Sequence, residues 1–303
     1  MPILDNLFGI IPPLITPLTE DRRLDEVGLR CVVRHVLDAG VHGVFVMGSS
    51  GEFPFFGRDD RRRAIEIVVD EVAGKVPVFA GISDSGTELA ARNAEDAEAA
   101  GADALVLTVP YYFKSFSDED VLVHYRYVAG KTGLPLVMYN IPQTVKTMVG
   151  VDVIAQLAEE GTVCAIKDSS TDFIHFQRLL SRMSGMPDFR IFQGSEFQSA
   201  ASILMGAHGG VLGIANIVPG LCVQLYEAAA SGDAARSREL QRRVTSVAAI
   251  FPVGRSAVTS MKAAASILGL CSPAVNLPLP EVTPDVRDKI HRILVECGVI
   301  GEG

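Results

Sequence analysis

Gly101-Ala102-Asp103-Ala104-Leu105-Val106-Leu107-Thr108-Val109-Pro110 decides the fold of this chain. The glycine stands where a helix ends in left-handed geometry. The run behind it is continuously apolar, as a parallel strand covered on both faces requires, and does not alternate as a half-exposed strand would. Gly40-Val41-His42-Gly43-Val44 and Gly206-Ala207-His208-Gly209-Gly210 repeat the same helix-to-strand turn. Working outward, apolar runs occupy residues 9–18, 43–49, 76–83, 104–110, 134–142, 163–169, 189–194 and 210–216. From the second run to the fifth, the starts lie about 30 residues apart, the length of one βα unit.

The stretches between the runs read as amphipathic helices. Residues 25–39 carry Leu29, Val32, Val33, Val36 and Leu37 at helical spacing. Residues 58–73 carry Ala64, Ile65, Val68, Val69 and Val72, which assigns Arg61, Arg62 and Arg63 to the outer face. Ser85 or Thr87 is placed to cap 88–99, and Ser117 to cap 118–129, with acids following each cap. Gly40, Gly74, Gly101, Gly130 and Gly206 are read as left-handed helix ends.

Strands that alternate with helices make a parallel sheet, and eight of them make an α/β fold of the (β/α)8 TIM-barrel class. An open doubly wound sheet would carry a GxGxxG after its first strand, where Ile11-Pro12-Pro13-Leu14 stands. From about Asp233 the pattern is purely helical, at 233–249, 256–268 and 284–297. The expectation is a catalytic barrel over 1–232 and a C-terminal helical extension over 233–303 packed on it. A length of 303 residues leaves one barrel or two domains open until the strands are counted.

An apolar fraction of 48% and a charged fraction of 21% exclude global disorder. A net charge of −9 argues against nucleic acid and anionic membrane as partners, since both need a basic footprint. Five cysteines without a CxxC argue against a disulfide framework and a structural zinc site, and suit a reducing compartment. No apolar stretch is long enough for a membrane span, and the opening Met1-Pro2-Ile3-Leu4-Asp5 lacks the basic region of a secretory leader. A cytoplasmic protein is the expectation.

Barrels of this type place chemistry at the C-terminal ends of their strands. Those ends read Thr16-Pro17, Gly48-Ser49-Ser50-Gly51-Glu52, Ser83-Asp84, Pro110-Tyr111-Tyr112, Tyr139-Asn140-Ile141-Pro142, Lys167-Asp168-Ser169, Gly194-Ser195-Glu196 and Asn216. Lys167 follows Val163-Cys164-Ala165-Ile166, so its stem starts inside a buried strand. Burial disfavours an ammonium ion, and a neutral amine is the nucleophile that Schiff-base chemistry needs. A structural ion pair with Asp168 or Glu196 accounts for such a lysine equally well. Tyr139 could pass protons beside Lys167, or simply cap the core. Ser49 and Ser50 sit in a glycine-bounded loop that could hold a carboxylate, or could be only a turn. The six histidines lie on helices or before strands, which disfavours a catalytic metal. The segment Asn216-Ile217-Val218-Pro219-Gly220 lacks the features of a phosphate site, so a phosphorylated substrate is disfavoured.

Together these strand ends resemble the pyruvate-dependent class I aldolases of the dihydrodipicolinate synthase and N-acetylneuraminate lyase family. The resemblance spans residues 7–300. It rests on Gly48-Ser49-Ser50-Gly51-Glu52, Pro110-Tyr111-Tyr112, Tyr139-Asn140-Ile141-Pro142 and the sixth-strand Lys167, in order and at family-like spacing. It implies that Lys167 forms an imine with pyruvate and that Tyr139 shuttles protons. It also implies that Ser49 links Tyr139 to Tyr112 of a neighbouring subunit in a homotetramer. Ser49 and Ser50, with Gly51, would hold the pyruvate carboxylate. The carbonyl near Val211 resembles the family's partner of the lysine, and Gly194 its seventh-strand wall. No cofactor and no metal are implied.

Two departures bear on the substrate. In dihydrodipicolinate synthases an arginine follows the Tyr-Asn-x-Pro segment by two residues and grips the aldehyde's carboxylate; here Thr144 stands there, after Gln143. The family's two histidines linked to lysine feedback correspond to Arg58 and Arg61. A neutral acceptor pocket of Gln143, Thr144, Ser169 and Ser195 suits a hydroxylated aldehyde. The resemblance therefore implies reversible cleavage of a 2-keto-3-deoxy sugar acid to pyruvate and an aldehyde. Condensation of pyruvate with aspartate semialdehyde, as in 4-hydroxy-tetrahydrodipicolinate synthase, and dehydration of such a sugar acid through the same lysine are the alternatives.

Overall fold

A computed structural model describes residues 7–113 and 116–301; the first six residues, where no leader was read, lie outside them. Eight strands follow in chain order: β1 (Gly9–Ile10), β2 (Val44–Val46), β3 (Val78–Gly81), β4 (Ala104–Leu107), β5 (Leu136–Asn140), β6 (Ala165–Asp168), β7 (Arg190–Gln193) and β8 (Gly209–Gly210). Every ladder is parallel, in the order β1-β8-β7-β6-β5-β4-β3-β2. The ring closes between β1 and β2 through one parallel bridge, Pro13 to Phe45. There Phe45 N donates to Pro12 O at 2.9 Å and Leu14 N to Phe45 O at 2.8 Å.

That seam is sparse for a physical reason. Pro12 and Pro13 have no N–H to give, so a full ladder cannot form beside them. The first strand is therefore far shorter than the apolar run 9–18. Asn216 makes up the deficit: its Oδ1 accepts from Ile15 N at 3.0 Å, and its Nδ2 donates to Pro13 O at 2.9 Å. The eighth run is also corrected. Only Gly209–Gly210 pairs as strand, and Gly213–Asn216 turns into a 3-10 helix that aims Asn216 at this seam.

Twelve helices are present among the described residues. Those of the barrel are α1 (Glu26–Asp38), α2 (Arg58–Val72), α3 (Thr87–Ala99), α4 (Asp118–Ala129), the single turn α5 (Pro142–Val145), α6 (Val151–Glu159), α7 (Phe173–Arg182), α8 (Ser199–Leu204) and α9 (Pro219–Ala230). Beyond them come α10 (Ala234–Ala248), α11 (Ala257–Ile267) and α12 (Pro284–Glu296). The first of these packs on α9, and α11 packs on the 3-10 turn after β8. No described helix is long and apolar enough to cross a membrane.

Strand alternation divides the core into two layers. On β5 and β6 the outward residues Met138 and Ile166 join the large core under the helices. The inward residues Val137, Tyr139 and Ala165 join Ile11, Phe45, Phe79, Val106, Phe192 and Val211 inside the ring. Parallel strands in register point paired residues to the same side, so every residue of this inner set faces one shared space.

Three local expectations are corrected. The Arg61 side chain is buried, not on the outer face, because Gly81 O at 3.3 Å and Ser83 O at 2.9 Å accept from its Nη2 and Asp84 pairs with its Nη1. Neither Ser85 nor Thr87 caps α3, which starts at Thr87 after Gly86 with no side-chain cap; the Thr87 hydroxyl instead lies 2.9 Å from His124 Nδ1. Gly130 ends α4 in right-handed geometry at φ −71°, whereas Gly40, Gly74, Gly101 and Gly206 do adopt positive φ. Ser117 caps α4 as expected, in a reciprocal capping box with Asp120.

Candidate active site

The site grows from one register pair. Tyr139 on β5 stands beside Lys167 on β6, so both side chains enter the ring at the same level. Lys167 Nζ lies 4.1 Å from the Tyr139 ring centroid and 5.3 Å from that of Phe45. Phe45 and Tyr139 meet edge to face at 6.4 Å. Ile11, Phe79, Val106, Val137, Phe192 and Val211 complete the apolar wall around the amine. The lysine is thus held in a ring of apolar side chains, over the faces of Tyr139 and Phe45.

Of the two readings of Lys167, the ion pair with Asp168 fails on geometry. Asp168 is the next residue on the strand and points outward. Its Oδ2 accepts from Asn140 Nδ2 at 2.8 Å, and its Oδ1 from Ser170 N at 3.0 Å and Ser170 Oγ at 2.6 Å. His175 Nε2 lies 3.4 Å from the same carboxylate. Asn140 and Asp168 are themselves a register pair. The two strands therefore carry an inward Tyr–Lys pair and an outward Asn–Asp pair. The outward pair locks the loops that follow.

Ser49 and Ser50 are half-buried in the loop after β2. That loop is a tight turn: Gly51 N donates to Gly48 O at 3.0 Å and Glu52 N to Ser49 O at 3.2 Å. Gly51 fits closely there, since a Cβ would stand 3.0 Å from both Leu14 O and Thr16 Oγ1. Three segments converge beside Gly213. The point where its Cβ would stand is 3.7 Å from Ser50 Oγ, 3.2 Å from Glu196 Oε1 and 3.3 Å from Met261 Sδ.

Glu196 was weighed in the sequence only as a partner for Lys167. No such ion pair forms among the described residues; Glu196 Oε1 accepts from Ile214 N at 3.2 Å instead. Burial pushes its carboxyl up from the ordinary range, while amides of the Gly213 turn and the charge of Lys167 oppose that shift.

The other sequence candidates divide in two. Gly194 presses on Ser169, where a Cβ would meet Ser169 Oγ at 1.9 Å, and Gly194 N donates to Asp168 O at 2.7 Å. Ser195 is buried next to it and donates from its N–H to Gln193 Oε1 at 2.9 Å. Gln143 is exposed, yet its Nε2 donates to Ser169 O and Ser170 O, both at 2.9 Å, which ties α5 to the β6 loop. Val211 takes its place in the inner wall. Thr144 is exposed on α5 and Tyr112 is 73% exposed, its ring edge to face with that of Phe113. A single chain does not bring Tyr112 to Lys167.

Sequence reasoning passed over Glu52 and Lys262. The Lys262 Nζ to Glu52 Oε1 distance is 2.5 Å, with both side chains fully buried. The signal was available: Lys262 is the one charged residue in α11, which otherwise reads Ala257-Val258-Thr259-Ser260-Met261 and Ala263-Ala264-Ala265-Ser266-Ile267.

Comparison with known proteins gives the family. The model of the dihydrodipicolinate synthetase family matches residues 6–297. A 4-hydroxy-tetrahydrodipicolinate synthase of Methanopyrus kandleri is 36% identical over 98% of this chain and 99% of its own. A dihydrodipicolinate synthase structure from Bacteroides thetaiotaomicron superposes with a TM-score of 0.91 at 37% identity, covering 96% of this chain and 98% of that one. YagE, a prophage protein of that family from E. coli K12 in complex with pyruvate, superposes with a TM-score of 0.93 at 25% identity, covering 97% and 99%. The chain belongs to the dihydrodipicolinate synthetase family and is a pyruvate-dependent carbon–carbon lyase.

Proposed function

We propose that this lyase reversibly cleaves a 2-keto-3-deoxy sugar acid to pyruvate and an aldehyde through an imine on Lys167. The observation that carries the chemistry is the Lys167 amine 4.1 Å from the Tyr139 ring in an apolar enclosure. In the synthetic direction the amine adds to the keto carbon of pyruvate, and the carbinolamine loses water to give the imine. Tyr139 donates and recovers the protons of that step. The protonated imine draws electrons from C3, which gives up a proton and attacks the aldehyde carbon as an enamine. Hydrolysis then frees Lys167. Cleavage runs the same steps backwards.

Ser49, Ser50 and the Gly51 turn hold the pyruvate carboxylate in this proposal, and the carbonyl at Val211 and the Gly194 wall bound the reacting carbon. Tyr112, with Phe113 exposed beside it, enters the Ser49–Tyr139 relay of a neighbouring subunit in a cytoplasmic homotetramer. The barrel over 1–232 carries these groups, and the helical extension over 233–303 packs on it. The acceptor end supports the sugar-acid choice. Gln143, Thr144, Ser169 and Ser195 are all uncharged and offer no cation to a second carboxylate. A guanidinium at position 144 would grip a carboxylate by two parallel bonds, which threonine cannot copy.

A synthase that condenses pyruvate with aspartate semialdehyde is the second reading, favoured by the names of the Methanopyrus and Bacteroides relatives. A sugar-acid dehydratase would use the same imine and release no pyruvate. Borohydride with pyruvate should add a covalent mass to Lys167, and Lys167→Ala should abolish it; no adduct on folded protein refutes the imine. A panel of aspartate semialdehyde, glyceraldehyde and N-acetylmannosamine with pyruvate then decides the acceptor. Preference for aspartate semialdehyde overturns the sugar-acid reading.

A further inference from the structure

We propose that the buried Glu52–Lys262 ion pair positions the Ser49-Ser50 loop for the substrate carboxylate, so that α11 of the C-terminal extension is a working part of the site. This rests on the pyruvate reading above. Glu52 follows the two serines and holds a left-handed backbone, φ 60° and ψ 27°, that a non-glycine residue adopts only under constraint. Its N–H donates to Ser49 O at 3.2 Å, so wherever Glu52 is fixed, the serine backbone is fixed with it.

The constraint comes from about 200 residues away. Lys262 Nζ lies 2.5 Å from Glu52 Oε1, and Asn276 N donates to Glu52 Oε2 at 2.8 Å. The same Nζ donates to Ala274 O at 2.8 Å. Both carboxylate oxygens and the ammonium are thus directed by groups beyond the barrel. On the opposite side Leu14 O and Thr16 Oγ1 approach so closely that a Cβ at Gly51 would stand 3.0 Å from each. The loop is clamped between the segment that follows β1 and α11. Independently, Met261, the neighbour of Lys262, puts its sulfur beside Gly213 with Ser50 Oγ and Glu196 Oε1. Two successive residues of one helix therefore reach two loops of the site.

An ion pair in full burial is a poor choice for stability alone, since well-packed apolar residues do as well or better. Its distinct properties are direction and charge. It fixes where the loop goes, and it cancels a carboxylate that would otherwise stand three residues from where an anionic keto acid binds.

The test measures pyruvate KM and kcat, borohydride trapping at Lys167 and thermal midpoint in Lys262→Met and in the double variant Glu52→Gln with Lys262→Met. The double variant removes both charges with little change of shape. The expected result is a pyruvate KM raised about 10-fold or more in both variants with kcat changed far less, the signature of lost ground-state binding. The double variant should keep a near-native midpoint. A wild-type pyruvate KM in the folded double variant overturns the proposal. So does failure of both variants to fold, which would make the pair a stability element. Absence of trapping in the wild-type enzyme would instead refute the pyruvate reading itself.

Discussion

At Gly194 a single methyl group has nowhere to go. It would stand 1.9 Å from Ser169 Oγ and 3.0 Å from the Asp168 carbonyl. The Ser169 hydroxyl can rotate away, but the carbonyl belongs to a strand and cannot. Gly194→Ala is therefore expected to form the pyruvate adduct on Lys167 while losing about 10-fold or more in turnover with aldehyde; parallel trapping and steady-state assays separate the two. Gly81 is a harsher case, because its Cβ would meet the Met47 backbone oxygen at 1.9 Å, and Met47 already holds φ 56°. Gly81→Ala should cost about 3 kcal/mol or more in chemical denaturation. At this scale the shared inward placement of Lys167 and Tyr139 was legible because both stand at the ends of apolar runs that read as buried strands. Arg61 was not. Its place on α2 depends on carbonyls of Gly81 and Ser83 that no local pattern announces, and its guanidinium also stacks 5.3 Å from the Phe53 ring.

Elements were legible where local chemistry decides them. Ser117 caps α4 because its hydroxyl accepts from Asp120 N at 3.2 Å and the Asp120 carboxylate accepts from Ser117 N at 2.8 Å. Ser117→Ala should lose about 1 kcal/mol, read as a small downward shift of the thermal midpoint. The first and eighth strands were misjudged because a continuous apolar run marks burial rather than pairing. Pro12 and Pro13 interrupt the ladder, and the run after Gly210 coils into a 3-10 turn that is equally buried. The lone lysine of α11 shows the converse. Its charge stood out in the sequence, but its partner 210 residues earlier was invisible until the extension folded back over the ring.

For the whole molecule, the buried histidines set a pH limit. Desolvation lowers His124 to about 4 from 6.5, against the opposing bond to the Thr108 carbonyl. Burial also pushes His35, His42 and His208 down. The unfolded chain takes up protons that the folded chain refuses. Stability is thus full above the unfolded value and falls as the pH drops from about 6.5 toward 4. His124→Gln keeps a donor and an acceptor for Thr87 and Thr108, and should flatten the urea midpoint across that window. The seam at Asn216 carries a consequence for synthesis. The groups that Asn216 joins lie 201 and 203 residues away in sequence. At about 5–20 residues per second, the ribosome delivers Asn216 roughly 10 to 40 s after the first strand. Until then the nascent sheet has open edges at β1 and at its newest strand, where a chaperone or another nascent chain would pair. The loop of Ser49 waits longer still, for Asn276. On the proposal that this loop holds the pyruvate carboxylate, a stalled chain has Lys167 and Tyr139 without that hold, so adduct formation would report completed translation and closure together.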